Sequence, residues 1–111
     1  MSTYIPQRGD IVWLDFNPQA GREQAGRRPA FVVSPAAYNG KVGLALVCPV
    51  TSREKGYPFE VPLPSGLAVT GVILSDQLKS LDWRRRKAAF IVAAPEAVTV
   101  EVQKKIEALL R

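Results

Sequence analysis

The sequence predicts a mainly β fold: a small, strongly bent barrel or half-open sheet of about seven short strands, closed by one C-terminal helix. Three observations predict it. Apolar, β-branched segments recur about every ten residues, separated by Gly, Pro, Asn and Ser. After Pro95 the apolar spacing turns helical, with Val98, Val102, Ile106 and Leu109 on one stripe. The length of 111 residues, 47% hydrophobic and 23% charged, allows one hydrophobic core, so residues 1–111 are expected to be a single domain.

The first strand is expected over Gly9–Phe16, with Val12, Leu14 and Phe16 on a wholly apolar face and Asn17-Pro18 as its stop. Asn17 to Arg28 then reads as a long loop with Gly21 and Gly26 and almost no large apolar side chain; such loops are often functional. Ala30–Val33 is a short strand fenced by Pro29 and Pro35. Leu44, Leu46, Cys48 and Val50 alternate down a third, which ends at Thr51-Ser52. Phe59, Val61 and Leu63 mark a fourth, and Pro62 puts it at a sheet edge because proline cannot donate to a ladder. Val69–Leu74, Leu78–Trp83 and Ala88–Ala94 complete the set. In the terminal helix Glu101 precedes Lys105 by four residues, the favourable order for a helical ion pair. Seven strands in so short a chain leave sheet surface uncovered, which points to a dimer.

Composition removes whole classes of chemistry. There is no histidine, which excludes Ser-His-Asp and Cys-His triads and two-histidine ribonuclease mechanisms. With the single cysteine, Cys48, neither an internal disulfide nor a cysteine-based zinc site forms, and its place in an apolar strand reads as inert core. The carboxylates show no metal-ligand spacing, so no metal or other cofactor is expected. No apolar run reaches the length of a membrane span, and Met1 to Arg8 lacks a signal core, so a soluble cytoplasmic protein is expected. Net charge is +5, and residues 1–89 carry all of it, with twelve basic against seven acidic side chains. Such a balance suits a polyanionic partner and equally a solvated basic face.

Three places hold candidate chemistry. Gly21-Arg22-Glu23-Gln24-Ala25-Gly26-Arg27-Arg28-Pro29 combines glycines, which let backbone approach a ligand, with planar arginine forks suited to phosphate. A polar loop with incidental charge has the same composition, but Arg28 abuts the buried strand and is anchored on framework. Thr51-Ser52 puts hydroxyls at a strand end, a position equally typical of turns. Asp76-Gln77-Leu78-Lys79-Ser80-Leu81-Asp82-Trp83-Arg84 alternates Lys79, Leu81 and Trp83 on one face. The aromatics Trp13, Trp83, Tyr38, Tyr57 and Phe59 have faces on which bases stack, although core is the commoner role in a small β domain.

The ordered blocks Gly9–Pro18, Glu23–Ala30, Ser34-Pro35 with Tyr38-Asn39, Cys48–Thr51, Lys55–Val61, Asp76–Ser80 and Trp83-Arg84 resemble the MazF/PemK family of bacterial toxins over nearly the whole chain. The resemblance implies an SH3-like barrel, a homodimer, and a metal-independent endoribonuclease that cuts single-stranded RNA at short sequences. Carried over, it makes Arg28 and Thr51 the catalytic pair and Glu23 a supporting loop carboxylate. It turns Phe16, Ser52, Asp76, Gln77 and Lys79 toward RNA, and Gln24, Arg27 and Lys55 join that set. The denser arginine run at 84–86 is the main local difference from the family.

RNA chemistry fits these residues, because RNA carries its own nucleophile in the 2′-hydroxyl. An enzyme need only align that oxygen with phosphorus, stabilise the phosphoryl charge and manage two protons. Arg28 grips the phosphate and Thr51 adds a neutral donor. Arginine stays protonated, so Glu23 or solvent must serve as base, and the expected ends are a 2′,3′-cyclic phosphate and a 5′-hydroxyl. A toxic nuclease also needs a dedicated inhibitor. The expected partner is an antitoxin with an acidic, partly disordered tail, docking on loop 22–28 and on Arg84, Arg86 and Lys87. Two other readings stay open. One is a gyrase poison resembling CcdB, whose relatives finish their last helix with Trp-Gly-Ile where this chain has Ala108-Leu109-Leu110-Arg111. The other is a non-catalytic SH3-like RNA-binding module.

Overall fold

A computed structural model describes residues 4–17 and 26–111. In chain order the elements are β1 (Asp10–Asp15), β2 (Arg27–Val32), α1 (Ala36–Val42), β3 (Ala45–Thr51), β4 (Glu60–Pro62), β5 (Val72–Leu74), β6 (Lys79–Leu81), β7 (Ala89–Ala93) and α2 (Glu96–Leu109). The strands lie in the order β4-β5-β3-β2-β1-β7, with β6 also paired to β3. The mainly β fold with seven short strands and a C-terminal helix is therefore the one the sequence predicts, an SH3-like barrel. Pro62 lies in edge strand β4, as a residue with no N–H to donate must.

β3 makes the bend. Ala45 to Val47 pair with β6, whereas Val50 and Thr51 pair with β5, all antiparallel. A strand that changes partner along its length turns a corner between two sheets. Alternation along the strands then separates two cores. Ile11, Phe31, Cys48, Val50 and Ile73 face α2 and pack with its Val98, Val102 and Ile106. Val12, Leu14, Phe16, Ala30, Val32 and Val47 face the other way and pack with Trp83. Each large side chain buried in this way contributes about 1.5–3 kcal/mol. The Cys48 thiol is fully buried, and burial, with a smaller push from Asp76, raises its pKa to about 12. Among the described residues no helix is long and apolar enough to cross a membrane.

The expected Asn17–Arg28 loop ends early, because Arg27 and Arg28 already pair with β1 as the start of β2, and two larger features differ from the sequence reading. Helix α1 lies where only turn residues were expected. Pro35 sits at its N-cap, and Gly43 closes it at φ 84°, a left-handed cap that glycine adopts without strain. Its Asn39 is a fully buried polar hub. The side-chain nitrogen donates to Pro6 O (2.8 Å) and Ser34 O (3.0 Å), and Oδ1 accepts from the Ser34 hydroxyl at 2.5 Å. Trp83 Nε1 donates to the Asn39 carbonyl at 3.0 Å, which ties the segment after β6 to α1. The second difference is Trp13, whose aromatic character suggested core but which is 42% exposed on β1.

Candidate active site

The site is built on strand ends. β2 and β3 pair Ala30 with Pro49, Phe31 with Cys48 and Val32 with Val47. That pairing ends at Ala30–Pro49; Arg28 lies two residues before Ala30 on β2, and Thr51 lies two residues after Pro49 at the end of β3. Arg28 is paired with Leu14 of β1, so the guanidinium is carried by a strand inside the sheet.

Thr51 is held equally firmly. It is 5% exposed, and its Oγ1 accepts a hydrogen bond from the Arg53 backbone N–H at 3.1 Å, a local turn that leaves its own O–H proton to donate. Gly71 packs directly on it from the start of β5. A Cβ at Gly71 would stand 2.2 Å from the Thr51 carbonyl oxygen, and its φ of +117° is itself glycine territory. A charged planar fork and a fixed neutral hydroxyl each suit a tetrahedral oxyanion.

Thr51 opens onto a cleft of about 410 Å³ lined by Arg53, Lys55, Tyr57, Glu60, Leu74, Asp76 and Gln77. Its outer wall is the β3–β4 loop, and Glu60 shapes that loop. The buried Glu60 carboxylate accepts from Lys55 N (3.0 and 3.2 Å) and Gly56 N (2.8 Å). Tyr57 O–H donates to Asp76 at 3.0 Å, and burial together with that bond raises its pKa to about 12, so the phenol stays neutral. Lys105 of α2 reaches across to donate to Pro58 O at 2.5 Å, oriented by Glu101 at 3.5 Å. Among the described residues Gln77 Oε1 is buried with no hydrogen-bond partner, a cost of about 1–3 kcal/mol.

The structure thus brings Thr51, Lys55, Asp76 and Gln77 to one cleft, while Arg28 lies on β2, paired with Leu14 of β1. Ser52 is exposed beside them, and Lys79 is half-buried on β6, paired with Val47. Glu23 and Gln24 lie outside the described residues. Phe16 is a correction: at 3% exposure it fills the core against Trp83, so no ring face is open to a base. Arg27 and Arg86 spend their guanidinium groups on backbone carbonyls, whereas Arg84 is exposed, its guanidinium 4.7 Å from the Trp83 ring centroid, and Lys87 is exposed. Glu60 and Gly71 were not singled out in the sequence. The signal for Glu60 was present, since an acid closing a Gly-containing loop is a local pattern. Among the described residues no three His, Cys, Asp or Glu side chains group to hold a metal ion.

The chain is similar in sequence and fold to known toxins. The family profile that matches residues 7–110 is that of the PemK-like, MazF-like toxin of type II toxin–antitoxin systems. The endoribonuclease toxin MazF of Escherichia coli K12 is 49% identical, over 99% of this chain and 98% of that protein. The crystal structure of MazF from Deinococcus radiodurans superposes with a TM-score of 0.94 at 60% identity, covering 96% of this chain and 97% of that one. A MazE–MazF crystal structure from the same organism gives a TM-score of 0.86 at 54% identity, covering 96% of each chain. On this match, which spans the strand ends, the cleft and both helices, the chain belongs to the PemK/MazF family of type II toxin–antitoxin toxins.

Proposed function

We propose that this chain is a sequence-specific endoribonuclease that cuts single-stranded RNA without a metal ion and thereby inhibits translation and growth. The observation that supports the reading is the buried Thr51 hydroxyl at a polar cleft lined by Lys55, Asp76 and Gln77, with Arg28 near the end of the neighbouring strand β2. The 2′-hydroxyl attacks the adjacent phosphorus and the 5′-oxygen leaves, giving a 2′,3′-cyclic phosphate and a 5′-hydroxyl. Arg28 holds the non-bridging oxygens, Thr51 donates to the same group, and Glu23 serves as the carboxylate base. Gln24, Ser52, Lys55, Asp76, Gln77 and Lys79 form the RNA-facing surface.

The test is incubation of the pure protein with end-labelled single-stranded RNA in EDTA. Cleavage at defined short sequences with cyclic phosphate ends is expected, and activity that appears only on adding a divalent ion overturns the mechanism. RNA binding without cleavage indicates a non-catalytic module; inhibition of gyrase with intact RNA indicates a CcdB-like poison. In the same assay an acidic antitoxin tail should suppress cleavage by covering the basic rim, including Arg84 and Lys87. That partner is supported by the family's toxin–antitoxin description and by the relative crystallised as MazE–MazF.

A homodimer belongs to this reading. Trp13, Phe90 (52% exposed) and Leu110 (77% exposed) leave large apolar side chains in solvent, and β7 ends the sheet as an edge. Sedimentation at micromolar concentration should show a dimer, and a lone monomer peak would count against it.

A further inference from the structure

We infer that Arg86 is a positioning residue for Arg28, acting through a clasp on the ends of β1 and β2; this rests on Arg28 being the group that holds the phosphate. The clasp is reciprocal. Arg86 Nη1 donates to the carbonyls of Asp15 (3.0 Å) and Asn17 (2.9 Å), while Asp15 N donates back to Arg86 O at 3.0 Å. Arg27 returns the bond from β2, with Nη2 on Lys87 O at 2.7 Å and Nη1 on Arg86 O at 3.4 Å. Asp15 and Arg27 form the last pair of the β1–β2 ladder, and Leu14 and Arg28 form the next. Arg28 therefore sits one pair from an open end, where ladders fray first.

Further bonds close the same neck. Phe16 N donates to Gly26 O at 2.9 Å, Gly26 N to Asn17 Oδ1 at 3.0 Å, and Asn17 N to Asp15 Oδ1 at 3.1 Å. The 82–87 segment is rigid enough to serve as an anchor. Its Trp83 is buried and bonded to Asn39, and Arg86 N and Lys87 N donate to Asp82 O and Arg84 O at 3.0 and 3.1 Å. Lys87 has φ 57°, left-handed backbone that a residue with a side chain adopts at a cost. That turn delivers the Lys87 carbonyl to Arg27. Two cations so placed hold a third in register, and a lysine in place of Arg86 keeps the charge without the guanidinium's reach and fork.

The proposal separates geometry from charge. A misplacement of about 1 Å in a reacting group can cost about 10²-fold. Arg86→Lys should therefore lower kcat roughly 10- to 100-fold while the Kd of an uncleavable RNA stays within about twofold. Combined with Arg28→Lys, in single-turnover assays, it should add less than about twofold further loss, because the two changes act on one group. The amides of Asp15 and Phe16 should exchange with solvent at least about tenfold faster in Arg86→Lys. Three outcomes overturn the proposal: multiplicative losses in the double variant, unchanged exchange, or, in Arg86→Gln, weaker RNA binding at unchanged kcat with a salt slope reduced by about one, the mark of a phosphate contact. Normal cleavage by Arg28→Lys alone overturns the role of Arg28 instead, and the exchange measurement still decides whether the clasp exists.

Discussion

Arg28→Lys is expected to keep the fold and lose about 10²–10³-fold in the rate of RNA cleavage, the typical cost of removing one transition-state donor. Lysine preserves the charge at the end of β2 but offers a point ammonium instead of a planar fork, so the two non-bridging oxygens are no longer held together. Thr51→Val should fall by a similar factor. Valine matches the shape of a residue that is almost fully buried, but it removes the proposed donor to phosphate and the acceptor for Arg53 N–H. Thr51→Ser restores both groups and should recover most of the rate. Single-turnover kinetics with circular dichroism as the fold control make the measurement. Near-normal cleavage by both Arg28→Lys and Thr51→Val would move the active site elsewhere.

Gly71→Ala is expected to have the largest effect on stability. The new methyl carbon would stand 2.2 Å from the Thr51 carbonyl oxygen and 2.9 Å from the carbonyl carbon, both backbone atoms that cannot rotate away. Overpacking and the positive φ together give roughly 2–5 kcal/mol. For a domain of this size each kcal/mol moves the melting temperature by about 4–8 °C. The variant should therefore melt well below the parent, and any folded fraction should cleave poorly, because β5 and the Thr51 strand end must separate. A melting temperature within a few degrees of the parent, with full activity, would show that the close approach is not maintained in solution.

The parts of the molecule that repeat were legible in its sequence. The even face of β1 read as apolar, and Val12, Leu14 and Phe16 do share one core. At Phe16 the alternation proves the better guide than the family resemblance, which turned the ring toward RNA. The stripe of α2 was equally plain, since fourteen residues give several turns over which a helical period shows. α1, at seven residues, offers less than two turns beyond its caps, so Pro35 and Gly43 looked like ordinary turn punctuation. Arg27 and Arg86 were illegible for another reason. Their partners are backbone carbonyls 60 and 71 residues away, and charge in a sequence says nothing about a carbonyl. Within the site, the residues alone offered an arginine anchored beside a strand and a hydroxyl at a strand end, and it was the family resemblance that made Arg28 and Thr51 a pair; the cleft that Thr51 shares with Asp76 and Gln77 is supplied only by the assembled sheet.

The sealed environment of Cys48 makes this protein its own unfolding gauge. It is the one thiol in 111 residues, fully buried inside a wall of packed side chains, and burial pushes its pKa up so that it stays a thiol. An alkylating reagent therefore waits for the barrel to open. Its labelling rate counts opening events at the middle of β3, the strand that joins both sheets, and the readout needs no engineered probe. Any ligand that favours the closed barrel, RNA or protein, would slow that clock, the logarithm of the rate falling in proportion to the free energy it adds.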